Sequence, residues 1–572
     1  METKRIFLAG FLIILVWVFW QAFFFPQPSE VASKTIKEPP SPSFDQEEPL
    51  ASFSSPENDR GVSGEDVFIF TIQNEKFKTR LSNQRLGTFL TYSLIDEAPQ
   101  YRGSFVAKDV GGKNNYVFDK EAPVEFLFGK SDGFNSCNPC LEGFYPKNVS
   151  VYINGEKYAQ DVFVVLQETV VRFVDEDSGA FHELTFFPDS YTVEHEYVLA
   201  DNLNITLLWK NGIRPSEKYY WLDDQMSYAM YVGEDEDDYD WLTGPLESSP
   251  LQYNKNLNWV GLRNKFFVST IKPYTESSKL IVSPNSGDEF ARRFDRSEPN
   301  ILKPPSVYDV AIDFDRTKNL RFDTFMAPLD YSVVSDSNIE NLDWIMTLGS
   351  SIFRPISKFI IQLIQSINYY IPFGGYALTL ILFAFLVRLV AGPLTKMSLD
   401  STRKMQELQP IIKEIQNKYK SDPKKMQMKI MQTYKEHKAN PLSGCLLMFL
   451  QWPIMIPPFI IFRSTVELRG ESFLWVPDLA LPDYLITLPF KIPIIGFGNE
   501  TGIGLLPILM GITLFLTMRQ TSVGLEGQNK VMMYSMNGMF VLLFNSFPAG
   551  LNLYYVVYNL LNYLQQRNRT KK

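Results

Sequence analysis

At 572 residues the chain exceeds a single ordinary core, and two or more domains are expected. Its 45% hydrophobic content, net charge of −9 and mean hydropathy of −0.10 average out to a soluble-looking protein. However, the apolar residues sit in blocks at the N-terminus and after Asn341, and much of the negative charge lies in one stretch, Gly233 to Trp241, so the charge points to neither an acidic nor a nucleic-acid partner.

The first block, Ile6 to Phe25, is about twenty uncharged residues, enough to span roughly a 30 Å hydrocarbon core. Lys4 and Arg5 give it the basic start of a signal peptide. The run is nevertheless longer than a typical secretory core and exits through Phe-Phe-Phe-Pro without a small-residue cleavage site, so residues 1–25 are expected to be an uncleaved membrane anchor. Residues 26–63, rich in Pro, Ser and Glu, form a tether.

Between residues 64 and 340, short runs such as "DVFIFTI", "VVRFVDE" and "TVEHEYVLA" alternate apolar with polar side chains and are separated by Gly, Pro, Asn and Asp. This period-two pattern predicts an all-β sandwich or barrel. The acidic stretch "GEDEDDYDW" lacks the glycine and terminal glutamate of an EF-hand and is expected to be a solvated loop. Cys137 and Cys140 lie in a loop without the helix start of a redox motif; if this domain is outside the cytoplasm, a small structural disulfide is favoured. A zinc site is disfavoured, because no second Cys pair exists and the chain has three His.

Residues 341–371 place apolar side chains at three- and four-residue spacing opposite Arg354, Lys358, Gln362 and Gln365, predicting an amphipathic helix along the membrane interface. Five spanning candidates follow within 372–566: about Phe373 to Leu394, Leu442 to Phe462, Ile503 to Met518, Val531 to Phe547 and Gly550 to Leu564. The segment 396–439 is lysine-rich. Met405, Leu408, Ile411, Ile412 and Ile415 form one stripe and Met426, Ile430, Met431 and Tyr434 a second, with a turn at Ser421-Asp422-Pro423, which predicts a helical hairpin. The positive-inside rule places this hairpin and both termini in the cytoplasm, and the β domain outside, with six spans in all.

Arg388 lies within the first of the five spans, about 12 Å along the helix from Lys396. It either snorkels or serves a polar interior. The other spans offer Gln451, Thr513, Thr517, Ser535, Asn537, Asn545, Asn552, Tyr554, Tyr555 and Asn559, and no carboxylate as a counter-ion. A cation among neutral polar groups would attract a transient anion, either a small solute, as in an anion transporter, or acidic side chains of a polypeptide entering the membrane. No catalytic cluster is evident: "FGKS" at Phe128 to Ser131 has Val124 where a phosphate loop needs its first glycine. No cofactor is expected.

The stretches "VRLVAGPLTK", "MQELQP", "YKEHKANPLSGC", "LQWPI", "STVELRG", "LPILMGIT" and "FPAGLNLYYVVYNL", in this order and spacing over about Ile352 to Gln566, closely resemble the YidC-type membrane protein insertases of Gram-negative bacteria. "LSNQRLGTFL" extends the similarity loosely to the outer region. The resemblance implies a multi-domain inner-membrane protein: an all-β periplasmic supersandwich domain and an α-helical transmembrane bundle with a cytoplasmic helical hairpin. It further implies a hydrophilic groove holding Arg388, Gln451, Thr513, Thr517, Asn537, Asn545, Asn552, Tyr554 and Tyr555, with an apolar slide along Met448, Leu450, Met455, Met536, Phe540 and Phe544. Partners implied are nascent membrane proteins, the phospholipid bilayer, the Sec translocon and SecDF. Contact with the ribosome through a basic tail is disfavoured by the shortness of residues 567–572. The enlarged connection around "ITLPFKIPIIGFGNETGIG" and the Cys137/Cys140 pair depart from the family pattern.

Overall fold

The structure is a computed structural model and describes residues 67–95, 98–109, 114–127, 137–210, 212–217, 226–235, 237–243, 250–285, 307–420, 422–437, 455–488, 501–521 and 528–570. The expected anchor, the tether, and Met448, Leu450 and Gln451 lie outside these residues.

The alternating runs form strands whose inward positions are buried. Val171 and Phe173 in Thr169–Asp175, His182, Leu184 and Phe186 in Phe181–Phe186, and Val193, His195, Tyr197 and Leu199 in Thr192–Trp209 all face the interior. Among the described residues the main sheet has 13 strands. Its longest, Val307–Pro328, runs antiparallel to Thr192–Trp209 from the Phe325–Thr192 pair to the Val310–Trp209 pair, with breaks in register between Val198 and Ile205. A second, four-stranded sheet is ordered Thr88–Leu94, Phe77–Ser82, Ile69–Gln73, Val162–Val164.

Aromatic side chains fill the space between the sheets. Phe77 stacks on Tyr92 at 4.3 Å between centroids and meets Phe186 of the main sheet at 6.3 Å, and Phe70 meets Phe173 at 6.0 Å. The Tyr92 hydroxyl donates to the Met326 carbonyl at 3.0 Å, so the polar tip of a buried ring is satisfied across the layers. The result is a β-sandwich. The acidic stretch forms the turn between Tyr228–Gly233 and Tyr239–Thr243, with Asp238 paired to Lys255 at 2.7 Å. Cys137 and Cys140 are joined by a disulfide, and Cys140 and Leu141 pair with Leu208 and Leu207.

Helices follow the last long strand. Helix α1, Arg354–Tyr370, buries Ser357, Ile360, Ile361 and Ile364 and exposes Phe359. Arg354 and Lys358 are tied to Asp343 rather than left on a free polar face. Helix α2, Gly375–Glu407, is 33 residues long and passes through Pro393. The sequence pattern divided this stretch into a span and the start of the hairpin. Pro393 removes one backbone bond, and the Leu, Lys, Met, Arg, Gln and Glu residues that follow it favour continuation of the helix.

Two short helices follow, α3, Gln409–Lys418, and α4, Pro423–Glu436, with the Asp422 side chain accepting from Lys425 N at 3.1 Å as the cap of α4. Leu408 and Ile412 are buried against Ile430 and Tyr434. Ile411 and Met431, placed on the inner stripes by spacing, are exposed together with Met428, because helices this short seal only one narrow seam.

Residues 455–462 form helix α5, followed by α6, Leu505–Thr521, α7, Gln528–Phe544, and α8, Ala549–Thr570. Among the described residues, Gly375–Pro393 is the one helical stretch long and apolar enough to cross a membrane, and Leu505–Gln520 and Met533–Phe544 are shorter apolar helices. By internal packing Ile69–Lys572 is one unit.

Candidate functional site: a polar seam beside Arg388

Helix α8 carries Asn552, Tyr555, Asn559, Asn562 and Gln566, a spacing of three and four residues that puts all five on one face. All five are buried, each 8% exposed or less. In an ordinary bundle this seam would be apolar, because an amide withdrawn from water without partners costs several kcal/mol. Here Thr513 and Thr517 of α6 are buried beside it, and the Thr517 hydroxyl reaches the Asn559 carbonyl at 3.3 Å. The Gln566 amide donates to Asn562 Oδ1 at 2.9 Å.

Arg388 of α2 is 5% exposed, and its guanidinium carbon lies 5.9 Å from the centroid of Tyr558 on α8. Tyr558 stacks on Tyr554, which stacks on Phe383 of α2 at 5.5 Å. Arg388 is thus packed among the helices beside this aromatic column. One turn further along α2, Gly392 keeps the two helices close: a Cβ there would stand 3.0 Å from Gln565 Nε2.

The structure divides the residues singled out from the sequence. Arg388 and Tyr554 belong to the contact of α2 with α8 and Thr517 to that of α6 with α8, whereas the bonds of the Thr513 hydroxyl go to carbonyls of its own helix. Asn537 donates to the Gly511 carbonyl at 3.3 Å, joining α7 to α6. The Tyr555 hydroxyl donates to the Met455 carbonyl at 2.7 Å, tying α8 to α5.

Two asparagines serve the fold. The Asn545 amide donates to the Gly502 carbonyl at 2.6 Å and its Oδ1 accepts from Gly504 N at 2.9 Å, while the Asn552 amide donates to the Phe544 carbonyl at 3.0 Å. On the expected slide, Met455, Met536 and Phe540 are half-buried. Phe544 is packed inside against Phe459, Phe547 and Tyr555, and the outward residues of α7 include Met539 and Leu542 instead. The residues singled out from the sequence omit Tyr558, Asn562 and Gln566; continuing the three- and four-residue intervals of α8 beyond Asn559 finds the last two.

Four buried amide oxygens, Gln520 Oε1, Asn537 Oδ1, Asn552 Oδ1 and Gln565 Oε1, have no hydrogen-bond partner among the described residues. Such atoms call for water or a polar guest. What the arrangement offers is a cation, amides and phenols, suited to holding polar groups rather than making or breaking bonds.

The family model for the 60Kd inner membrane protein matches residues 368–572. The membrane protein insertase YidC of Pelodictyon phaeoclathratiforme is 31% identical in an alignment covering 97% of this chain and 92% of the relative. The chain belongs to the YidC insertase family. The YidC of Chloroherpeton thalassium is also 31% identical, over 97% of this chain and 93% of its own. A solved structure of an active YidC insertase with its first transmembrane domain resolved aligns over 89% of this chain and 94% of its own, at 16% identity and a TM-score of 0.34. As a YidC insertase the chain is an inner-membrane protein and not an enzyme.

Proposed function

We propose that the chain receives nascent inner-membrane proteins in a hydrophilic groove between α2, α6 and α8 and releases their apolar segments sideways into lipid. The observation that carries this reading is the buried polar seam of α8 with Arg388 held beside it. A client's hydrophilic tail loses hydration on entering the bilayer, and amides, phenols and a cation replace part of it. Arg388 attracts acidic residues of that tail by charge, so the site favours tails with Asp or Glu.

In this reading the lysine-rich hairpin and both termini face the cytoplasm, the β-sandwich of residues 64–340 is periplasmic, and six helices cross the membrane. Residues 341–371 lie along the interface, and the slide of Met455, Met536 and Phe540, with Met448 and Leu450, guides the apolar segment. Clients arrive alone or from the Sec translocon with SecDF.

The test is complementation of a strain depleted of its own insertase, read by insertion of a client with an acidic translocated tail. Arg388→Ala is expected to lower insertion about tenfold, the equivalent of about 1.4 kcal/mol, and Arg388→Lys to keep most of it. Normal insertion by Arg388→Ala refutes the proposed role of the charge.

A further inference from the structure

We infer that the connection between α5 and α6 carries an apolar tip that inserts into the lipid–water boundary of the membrane, at the level where α6 begins. The inference rests on the reading that α6 crosses the bilayer.

The tip is built rigidly. Phe473 N donates to the Val476 carbonyl at 2.9 Å and Val476 N returns a bond to the Phe473 carbonyl at 2.8 Å, closing a two-residue turn whose corners are Leu474 and Trp475. Leu474 has φ +53, a conformation that asparagine or glycine adopts with less strain, and its side chain is 77% exposed. A strained leucine pointed outward at a turn corner is unexplained in water and expected in lipid.

The depth of the tip is set by one carboxylate. The Trp475 indole donates to Asp483 Oδ1 at 3.1 Å, and the other oxygen of Asp483 accepts from Leu506 N, in the first turn of α6, at 2.7 Å. Ala549 N and Gly550 N, at the start of α8, donate to the Leu481 and Leu479 carbonyls at 2.8 Å. The connection is thereby pinned to the beginnings of two helices, which in a spanning bundle lie at the membrane boundary. Tryptophan is the residue enriched at that boundary, with an apolar ring and one polar N–H.

The chemistry of the surface selects lipid over a charged partner. Leu485, and Ile486 and Ile503 of the strand pair Ile486–Leu488 and Thr501–Ile503, are exposed in the same connection as Leu474 and Trp475. Residues 473–488 contain no Lys or Arg. Their two acids, Asp478 and Asp483, accept from backbone N–H groups. Such a face has nothing to offer an anionic headgroup cluster or an acidic peptide. It fits the top of the acyl chains.

The experiment uses the full chain in phosphatidylcholine vesicles with Cys445→Ser as background, because Cys137 and Cys140 are joined to each other. An environment-sensitive fluorophore is attached at Leu474→Cys, at Ile486→Cys, at Ile512→Cys on the exposed side of α6, and at Leu166→Cys on the β region. Lipids spin-labelled near the top of the acyl chain are expected to quench the 474 and 486 probes at least about twofold, as for a boundary group, and to leave 166 unchanged. Quenching at 512 without quenching at 474 and 486 overturns the inference while sparing the span. No quenching at 512 overturns the span, and with it the inference. Emission at 474 that responds to dilution with unlabelled protein but not to lipid label means that a second copy covers the tip, and overturns the inference as well.

Discussion

Arg469, in the connection after α5, and Glu217, in the β region, form an ion pair in which Nε donates to Oε1 at 2.6 Å, both side chains being 4% exposed. The guanidinium uses its other four N–H bonds on carbonyls: Nη1 donates to Gln100 and Arg102, and Nη2 to Gly103 and Ser216. All five donors are used, the condition under which a buried arginine is tolerated. Two glycines make room for the clasp. Gly470 has φ +71, and a Cβ there would stand 2.6 Å from the Pro99 carbonyl oxygen; Gly103 has φ +95, and a Cβ there would stand 2.9 Å from the Phe118 ring and 3.3 Å from Arg469 Nη2. Lys265, also buried, adds a bond to the Ala480 carbonyl at 3.2 Å. The β region and the helical connection are therefore joined by a fixed, desolvated contact.

Removing the arginine should be costly. Arg469→Ala leaves Glu217 buried without its cation and four carbonyls without donors, and the expected loss is about 3–5 kcal/mol. Arg469→Lys keeps the charge but has three donors for five acceptors and should fall between Ala and the natural residue. Thermal unfolding in detergent, with limited proteolysis of the connection, checks both; an Arg469→Ala protein as stable as the parent refutes the clasp.

The two interior histidines predict the pH response of the sandwich. Nδ1 of His182 lies 2.8 Å from the Leu86 carbonyl, its Nε2 lies 3.0 Å from His195 Nδ1, and His195 Nε2 lies 2.9 Å from the Thr324 hydroxyl. Because a carbonyl only accepts, the protons are assigned in one direction: His182 Nδ1 to Leu86, His195 Nδ1 to His182, Thr324 to His195. A further proton must turn the Thr324 hydroxyl or break the bond between the two rings, and it brings a charge into a desolvated interior. Burial pushes His182 down to about 3, and burial together with His182 pushes His195 down.

The unfolded chain therefore binds more protons below about pH 6.5, and stability falls as pH drops from there, by about 1.4 kcal/mol per pH unit for each histidine. Glu467, pushed up to about 8 by burial, and Asp478, pushed up to about 6 by burial, gain protons in the folded state and offset this slope below pH 8 and pH 6 respectively. The difference in slope between the parent and His182→Gln isolates the effect. The same change in unfolding midpoint between pH 7.5 and pH 5 in the parent and in His182→Gln would contradict it.

The sandwich was legible because strands announce themselves locally: Val171, Phe173, Leu184 and Phe186 alternate with polar residues in the sequence and alternate inward in the fold. Helices α6 and α8 were legible for the same local reason, through apolar runs. Arg469 was not, since its partners are 252 to 369 positions away and four are backbone carbonyls, which no side-chain pattern records. The polar residues buried among the helices were legible only in part. A polar residue within an apolar run announces an unusual environment, but Asn545 and Asn552 reach that environment by bonding to loop and helix-end backbone, as seen only in three dimensions.

The disulfide is expected to contribute modestly. Cys137 and Cys140 enclose a short loop, so cross-linking removes little freedom from the unfolded chain, and Cys137→Ser with Cys140→Ser should cost about 2 kcal/mol. The loop has other ties: Asn138 N donates to Thr88 Oγ1, its carbonyl accepts from Phe89 N, and its Oδ1 accepts from Lys210 N, joining both sheets. Chemical unfolding with and without reductant measures the difference, and a loss of all folded β structure on reduction would show that these bonds depend on the disulfide.

Asn545 offers a separation of fold from groove. Its side chain closes Gly502 and Gly504 onto the end of α7, so Asn545→Ala leaves a buried carbonyl and a buried N–H unpaired, at a cost of about 1–3 kcal/mol each. Thr513→Val removes a hydroxyl whose bonds go to carbonyls already within its own helix and should change stability by less than about 1 kcal/mol. If Asn545 serves only the fold, client insertion per folded molecule is unchanged in Asn545→Ala even though less folded protein accumulates. Quantifying membrane-extracted folded protein alongside insertion decides the matter: a loss of insertion at equal folded amount would return Asn545 to the groove.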